Sequence, residues 1–157
     1  MLKKYFLNFF FIIIIFCIDR ISKLLVIKFA ETYGEMNVNV ASFLNLNLIW
    51  NEGIAFGLFS FDQKFYYNLL TIFIFLIILV IIWLMFKSKG FEKFSYIMII
   101  GGSLGNIFDR IYYSAVPDFI DIYFNNFHWF IFNVADIFIS LGVIILISLE
   151  FLKKKHE

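Results

Sequence analysis

The sequence predicts a membrane protein, mainly α-helical, with four transmembrane helices and a small β region between the first two. Composition, mean hydropathy and size predict it. Of 157 residues, 62% are hydrophobic and only 16% are charged, whereas ordinary soluble domains are about 45–50% apolar and about 25% charged. The mean hydropathy is +0.90. A chain of this length makes one domain, and so small a domain cannot bury this much apolar surface in its own core. The excess must face lipid. That excludes a soluble globular enzyme, a disordered chain and a nucleic-acid binder, and the formal net charge of +1 gives no case for nucleic acid either.

A spanning helix needs about 20 mostly apolar residues. The first span runs from about Tyr5 to Ile27 and includes the block Phe9 to Ile18. Asp19, Arg20 and Lys23 follow that block rather than a small-residue cleavage site, so it reads as a retained helix and not a signal peptide. The connection from about Lys28 to Lys64 is too long for a turn. Within it, Asn37-Val-Asn-Val40 and Leu44-Asn-Leu-Asn-Leu48 alternate polar and apolar residues, the mark of half-buried strands. A small sheet on the outer membrane surface is expected there, its apolar face toward lipid or toward the helices. The second span, about Phe65 to Phe86, carries no charge inside; the third runs from about Phe94 to Ile111 and the fourth from about Phe127 to Leu152. The whole chain, 1–157, reads as a single integral membrane domain.

Lysines set the direction by the positive-inside rule. Lys3 and Lys4 precede the first span, Lys87, Lys89 and Lys93 join the second to the third, and Lys153, Lys154 and Lys155 follow the fourth. Four spans place all three clusters on one side. Both termini are then cytoplasmic, and the other two connections face outward.

Ionisable groups in or near a span cost several kcal/mol unless paired or hydrated, and are functional candidates by default. Asp19 and Lys23 stand four apart on one helix face. They suit an ion pair at the interface or a substrate contact. Asn51-Glu-Gly53-Ile-Ala-Phe56-Gly suggests a tight backbone path, either a turn after the strands or an amide that holds a peptide backbone. Gly101 and Gly105 let helices approach closely, but packing does not explain Asn106, Asp109 and Arg110 in the same span. Asp118 and Asp121 lie in the second outward connection beside Pro117, with Asp121 expected at the surface. Asn133 and Asp136 share one face near the outer end of the fourth span, and an ionised Asp136 must face a partner or a watery cavity.

Cys17 stands alone in an apolar run, so neither an internal disulfide nor a cysteine metal site is available. His128 and His156 are isolated, which removes a helical zinc pair; His128, beside Trp129, reads as an interfacial side chain. No metal and no cofactor are expected. Acids, amides and one arginine remain, and that set suits an aspartic pair. Two carboxylates brought close cannot both ionise. The ionised one takes a proton from an attacking water while the protonated one donates to the carbonyl oxygen. Asp109, Asp118, Asp121 and Asp136 all qualify by spacing. Asp109 has Arg110 beside it, whereas Asp118 and Asp136 lack a cationic neighbour in sequence.

Together these motifs resemble the bacterial lipoprotein signal peptidases, also called signal peptidase II. The resemblance covers nearly the whole chain: Asp19-x-x-x-Lys23, Asn51-x-Gly53-x-Ala55-Phe56, Gly101-Gly-x-x-Gly105-Asn106-x-x-Asp109-Arg110, Val116-x-Asp118-Phe119 and Phe132-Asn133-x-Ala135-Asp136. Each motif is weak singly, and the five in order are specific. The resemblance implies four transmembrane helices with an extracytoplasmic β-cradle, in a bacterial cytoplasmic (inner) membrane, with the active site at the outer face. It implies an aspartic endopeptidase that cuts diacylglyceryl-modified prolipoproteins just before the lipidated cysteine. The implied dyad is Asp118 and Asp136. Asn106, Arg110 and Asn133 would surround it, Asn51 and Gly53 would lie nearby, and Asp19 and Lys23 would support the fold and the site. A monomer in contact with membrane lipid and sensitive to the cyclic peptide globomycin is expected on the same ground. Pro117 departs from the pattern, since many members carry an aliphatic residue there.

The diacylglyceryl group would stay in the outer half of the bilayer, and the loop from Asn51 to Phe61 is expected to clamp the substrate. A small transporter or channel subunit would also explain intramembrane acids, but the polar residues gather at one face and do not continue across the apolar second span. A scaffold without catalysis would make Asp118→Asn and Asp136→Asn nearly silent. An aspartic protease that cuts within helices would hold both acids deeper than Asp118 lies.

Overall fold

A computed structural model describes residues 2–53, 64–124 and 127–154. Its elements are α1 (Leu2–Tyr33), β1 (Asn37–Ala41), β2 (Leu44–Asn51), α2 (Lys64–Lys87), α3 (Gly90–Tyr113), β3 (Val116–Phe124), β4 (Phe127–Phe132) and α4 (Val134–Lys154). The chain is mainly helical with one small antiparallel sheet. Among the described residues, two helical stretches, Tyr67–Lys87 and Val134–Lys154, are long and apolar enough to cross a membrane by length and composition. From residue 54 on, the Asn51–Phe61 loop lies outside the described residues.

Two expectations are corrected. The sheet does not belong to the first outward connection alone. Its order is β1-β2-β3-β4, so the second connection supplies half of it. The segment Phe127–Phe132, expected to open the fourth helix, is strand β4, and α4 starts only at Val134. Phe, Trp and Ile are as apolar as a helix requires, but aromatic and β-branched residues also suit a pleated surface. Pairing with β3 decides it: Ile120 faces Phe132 and Ile122 faces Phe130.

α3 is the central helix, packed against α1, α2 and α4. Small residues allow the contact. A Cβ on Gly102 would lie 2.5 Å from the Ala135 carbonyl oxygen of α4, and one on Gly101 would lie 2.8 Å from Ile15 Cβ of α1. Ile12, Ile15, Met85, Ile97, Met98 and Ile100 form the core between α1, α2 and α3. A second core joins the sheet to α1: Leu46 and Leu48 pack on Val26, Met36 and Phe119. The sheet's apolar face therefore meets the helices. Gly34, at φ +86°, ends α1 in the left-handed conformation that glycine adopts freely.

Ring contact between Tyr5 and Phe86 and the Lys153–Glu92 pair (3.6 Å) bring the start of α1, the α2–α3 link and the end of α4 to one end of the bundle. The sheet sits at the other end. Much of the apolar surface between is uncovered: Phe73, Phe75, Leu76, Leu79, Val80 and Trp83 of α2 are all exposed.

Candidate active site

Two of the sequence's candidate acids lie where the sheet meets α3 and α4. Asp118 is on β3, opposite Ile49 of β2. Beside it the register slips, two residues of β2 facing one of β3 between Leu46 and Ile49. Such a bulge re-aims neighbouring side chains. Pro117 pairs with Trp50 of β2, while the β4 pairing begins only at Ile120. A residue without an N–H is tolerated where the strand has one neighbour.

Asp136 is in the first turn of α4. The Asn133 amide oxygen accepts from the Asp136 N–H (3.2 Å), and an Asp136 carboxylate oxygen accepts from the Asn133 N–H (3.1 Å). This is a reciprocal capping box, with Asn and Asp in place of Ser and Glu. The Asn133 side-chain NH₂ is left over and donates to Asp118 Oδ1 at 2.6 Å. One fully buried asparagine thus joins the two carboxylates. Asn51 Nδ2 donates to the other Asp118 oxygen at 2.9 Å, and Asn106 Nδ2 donates to Asp136 Oδ1 at 2.9 Å.

Behind the pair runs a buried ionic chain. Lys23 Nζ donates to Asp19 Oδ2 (2.9 Å), to Asn106 Oδ1 (2.9 Å) and to Asp109 Oδ2 (2.7 Å). Asp19 Oδ1 accepts from the Ala135 N–H at 2.9 Å, a carboxylate at the N-terminus of α4 where the helix dipole favours it. Arg20 pairs with the free oxygen of Asp109. Arg110 does not hold Asp109, its neighbour in sequence. Its Nη2 donates to the Gly53 carbonyl at 2.6 Å, and the Gly53 N–H donates to Asn51 Oδ1 at 2.9 Å. All nine candidate residues therefore lie in one connected set, spanning α1, β2, α3, β3 and α4.

Asp121 is not at the surface. It is fully buried, and its Oδ2 lies 2.7 Å from His128 Nδ1. Spacing could not reveal this partner, because the two meet across a hairpin whose register slips between Ile122 and Tyr123. Gly105 also has a role beyond packing: a Cβ there would strike the Asp19 carboxylate. Gly105→Ala should lower stability by about 1–3 kcal/mol, the usual range for overpacking, and should lower turnover because Asp19 braces α4. Thermal unfolding in detergent checks it; an unchanged midpoint would refute the contact.

Burial raises the Asp118 pKa from 3.8 to about 6; the negative charge of Asp136 adds to the rise, while the Asn51 and Asn133 donors and Lys23 oppose it. A carboxyl near 6 can exchange a proton close to neutral pH. Two hollows reach the pair, one lined by Asp118 and the other by Asp136. One, of about 480 Å³, is lined by Asp118, Asn51, Gly53, Trp50, His128 and Trp129, among others. The other, of about 450 Å³, is almost wholly apolar and runs from Asp136 along Ile137, Ile139 and Leu141 of α4. Phe130 and Ile131 line both.

The family model described as signal peptidase (SPase) II matches residues 11–152. The lipoprotein signal peptidase of Pelagibacter ubique (strain HTCC1062) is 51% identical over 156 residues, covering 98% of this chain and 94% of that protein. Those of Francisella tularensis subsp. novicida (strain U112) and Anaplasma phagocytophilum (strain HZ) are 42% and 36% identical, covering 82% and 91% of this chain and 83% and 90% of those proteins. Two solved structures described as bacterial membrane enzymes share the fold. One has TM-score 0.76 at 24% identity, covering 96% of this chain and 90% of its own; the other has TM-score 0.72 at 25% identity, covering 90% of each. From its sequence motifs to its fold, the chain belongs to the signal peptidase II family.

Proposed function

We propose that this protein is an aspartic endopeptidase that removes signal peptides from diacylglyceryl-modified prolipoproteins, using Asp118 and Asp136 as its dyad. The observation that carries this reading is the pairing of two carboxylates through Asn133, with a hollow at each of them. The reading places one integral membrane domain in a bacterial cytoplasmic membrane, with four spans, both termini cytoplasmic and the dyad at the outer face. Helix lengths support it: 24 residues in α2 and in α3 and 32 in α1 reach about 36 and 48 Å at 1.5 Å per residue, enough for a bilayer core of about 30 Å. So does the gathering of the lysine-bearing ends away from the sheet.

The apolar hollow along α4 suits the lipid chains of the substrate, and the polar, aromatic hollow suits its polypeptide. The scissile bond then lies across β4 between the two acids. Asp118, whose affinity for a proton is raised, starts protonated, and Asp136 starts ionised. Water adds its oxygen to the carbonyl carbon and gives a proton to Asp136, while Asp118 gives its proton to the carbonyl oxygen. On collapse the C–N bond breaks, the nitrogen takes the proton from Asp136, and a hydroxyl proton returns to Asp118. Asn51, Asn106 and Asn133 hold both carboxyl groups in place. Arg110 fixes Gly53 and through it Asn51.

Purified protein should release the signal peptide from a lipidated precursor and leave the unlipidated precursor intact, as read by gel shift. No cleavage, or equal cleavage of both, overturns the reading. The activity should also fall on the alkaline side. The pair must hold one proton, and in the free enzyme Asp118 loses its own near pH 6, so kcat/KM should decline above about that pH. Asn51→Ala removes a donor that favours the carboxylate, so the alkaline limb should move to higher pH. A limb that stays or moves down contradicts the assignment.

A further inference from the structure

His128 has no place in the dyad chemistry, yet it lines the same hollow as Asp118. Its ring is held. Nδ1 lies 2.7 Å from the buried Asp121 Oδ2, and the ring stacks on Tyr123 with centroids 5.5 Å apart. Even so, the side chain is 56% exposed. A fully buried carboxylate beside a half-exposed imidazole fixes the ring's orientation, and in the neutral ring it favours the tautomer with the proton on Nδ1. Nε2 is then an acceptor at the open edge.

We propose that His128 is a specificity-determining residue whose Nε2 accepts a hydrogen bond from a backbone N–H of the substrate polypeptide on the mature side of the scissile bond. The inference rests on the function proposed above and deepens it. The side follows from direction. His128 lies at the hairpin end of β4, away from α4, and its ring sits between its partner Asp121 and Tyr123, about four residues along β3 from Asp118. At about 3.4 Å per strand residue that is about 14 Å, and both residues line one hollow. An extended substrate has the same rise, so His128 meets it about four residues from the cut. The signal peptide is apolar and stays with the helices; only the mature chain continues outward over the sheet.

Full-length enzyme should be compared with His128→Ala and His128→Gln on two lipidated precursors. One keeps a long mature segment, and the other ends two residues after the lipidated cysteine. His128→Ala should raise KM for the long precursor about fivefold, the effect of one hydrogen bond, with little change in kcat. KM for the short precursor should not move. His128→Gln, which keeps an acceptor, should recover part of the loss and shows that the effect is not misfolding. An unchanged KM for the long precursor, or an equal rise for both, overturns the proposal. Failure of the wild-type enzyme on both precursors would overturn the proposed function itself, whereas wild-type cleavage with indifferent variants overturns this inference alone.

Discussion

Asp118→Asn and Asp136→Asn should each abolish cleavage of a lipidated precursor, by about 10³-fold or more, while leaving a folded protein. Removing a group that transfers a proton in the transition state costs about 10²–10⁴ by itself, and here each acid serves twice in one cycle. The two losses should not add, because neither acid works without the other. The fold should survive for a reason specific to the site. The pKa of Asp118 is about 6 when folded, against 3.8 for the ordinary side chain. For a carboxyl shifted upward, folding is favoured by the protonated form. Its contribution is fully present below about pH 4 and is lost as pH rises through 6, a difference of about 3 kcal/mol at neutral pH. Asn carries no charge and removes that cost. It also presents an NH₂ to one of two donors, Asn51 or Asn133, which takes part of the gain back. Asp118→Asn should therefore unfold at pH 7 no more than a few degrees from wild type, and its stability should vary less between pH 4 and 7. Cleavage that survives in either folded variant would remove that residue from the dyad, and survival in Asp118→Asn with loss in Asp109→Asn would name Asp109 as the partner of Asp136.

Lys23→Met should be the most destabilising single change in the polar network, at about 3–5 kcal/mol, the range for breaking a buried ion pair from one side. Lys23 is fully buried and serves three acceptors on two helices. Without it, Asp109 keeps Arg20, but among the described residues Asp19 keeps only the Ala135 N–H. The deficit falls on Asp19, the residue that fixes the start of α4. Asn106 also loses the donor that orients its amide toward Asp136, so turnover should fall beyond what unfolding explains. Thermal unfolding in detergent and cleavage by the folded fraction measure the two effects. Adding Asp19→Asn to Lys23→Met should recover part of the stability, since the uncompensated charge is then gone, and the pair should be clearly non-additive. A loss below about 1 kcal/mol, or strict additivity, would mean that the three contacts do not hold the helices together.

Composition determined the class of protein, because an apolar excess of this size has no soluble arrangement. Hydropathy located the helical segments, and alternation in Asn37–Val40 and Leu44–Leu48 located β1 and β2, since both are local properties of the chain. The ordered motifs named the polar residues that the structure gathers. Other features were not local. Phe127–Phe132 is apolar enough for helix or strand, and only its ladder with β3 made it β4. Asp109 stands beside Arg110 in sequence but pairs with Lys23 and Arg20 from α1, because successive residues of a helix point in different directions. Asp121 read as a surface acid and is buried against His128, a contact made by a bulged hairpin rather than by spacing. The joining of Asp118 to Asp136 through Asn133 likewise needed α4 to begin at Val134, so that one amide both capped the helix and reached across to β3. The sequence by itself set which stretches are apolar and which polar groups must find partners. The tertiary structure alone chose the partners, because contacts between distant residues depend on strand register and helix packing, which no local pattern encodes.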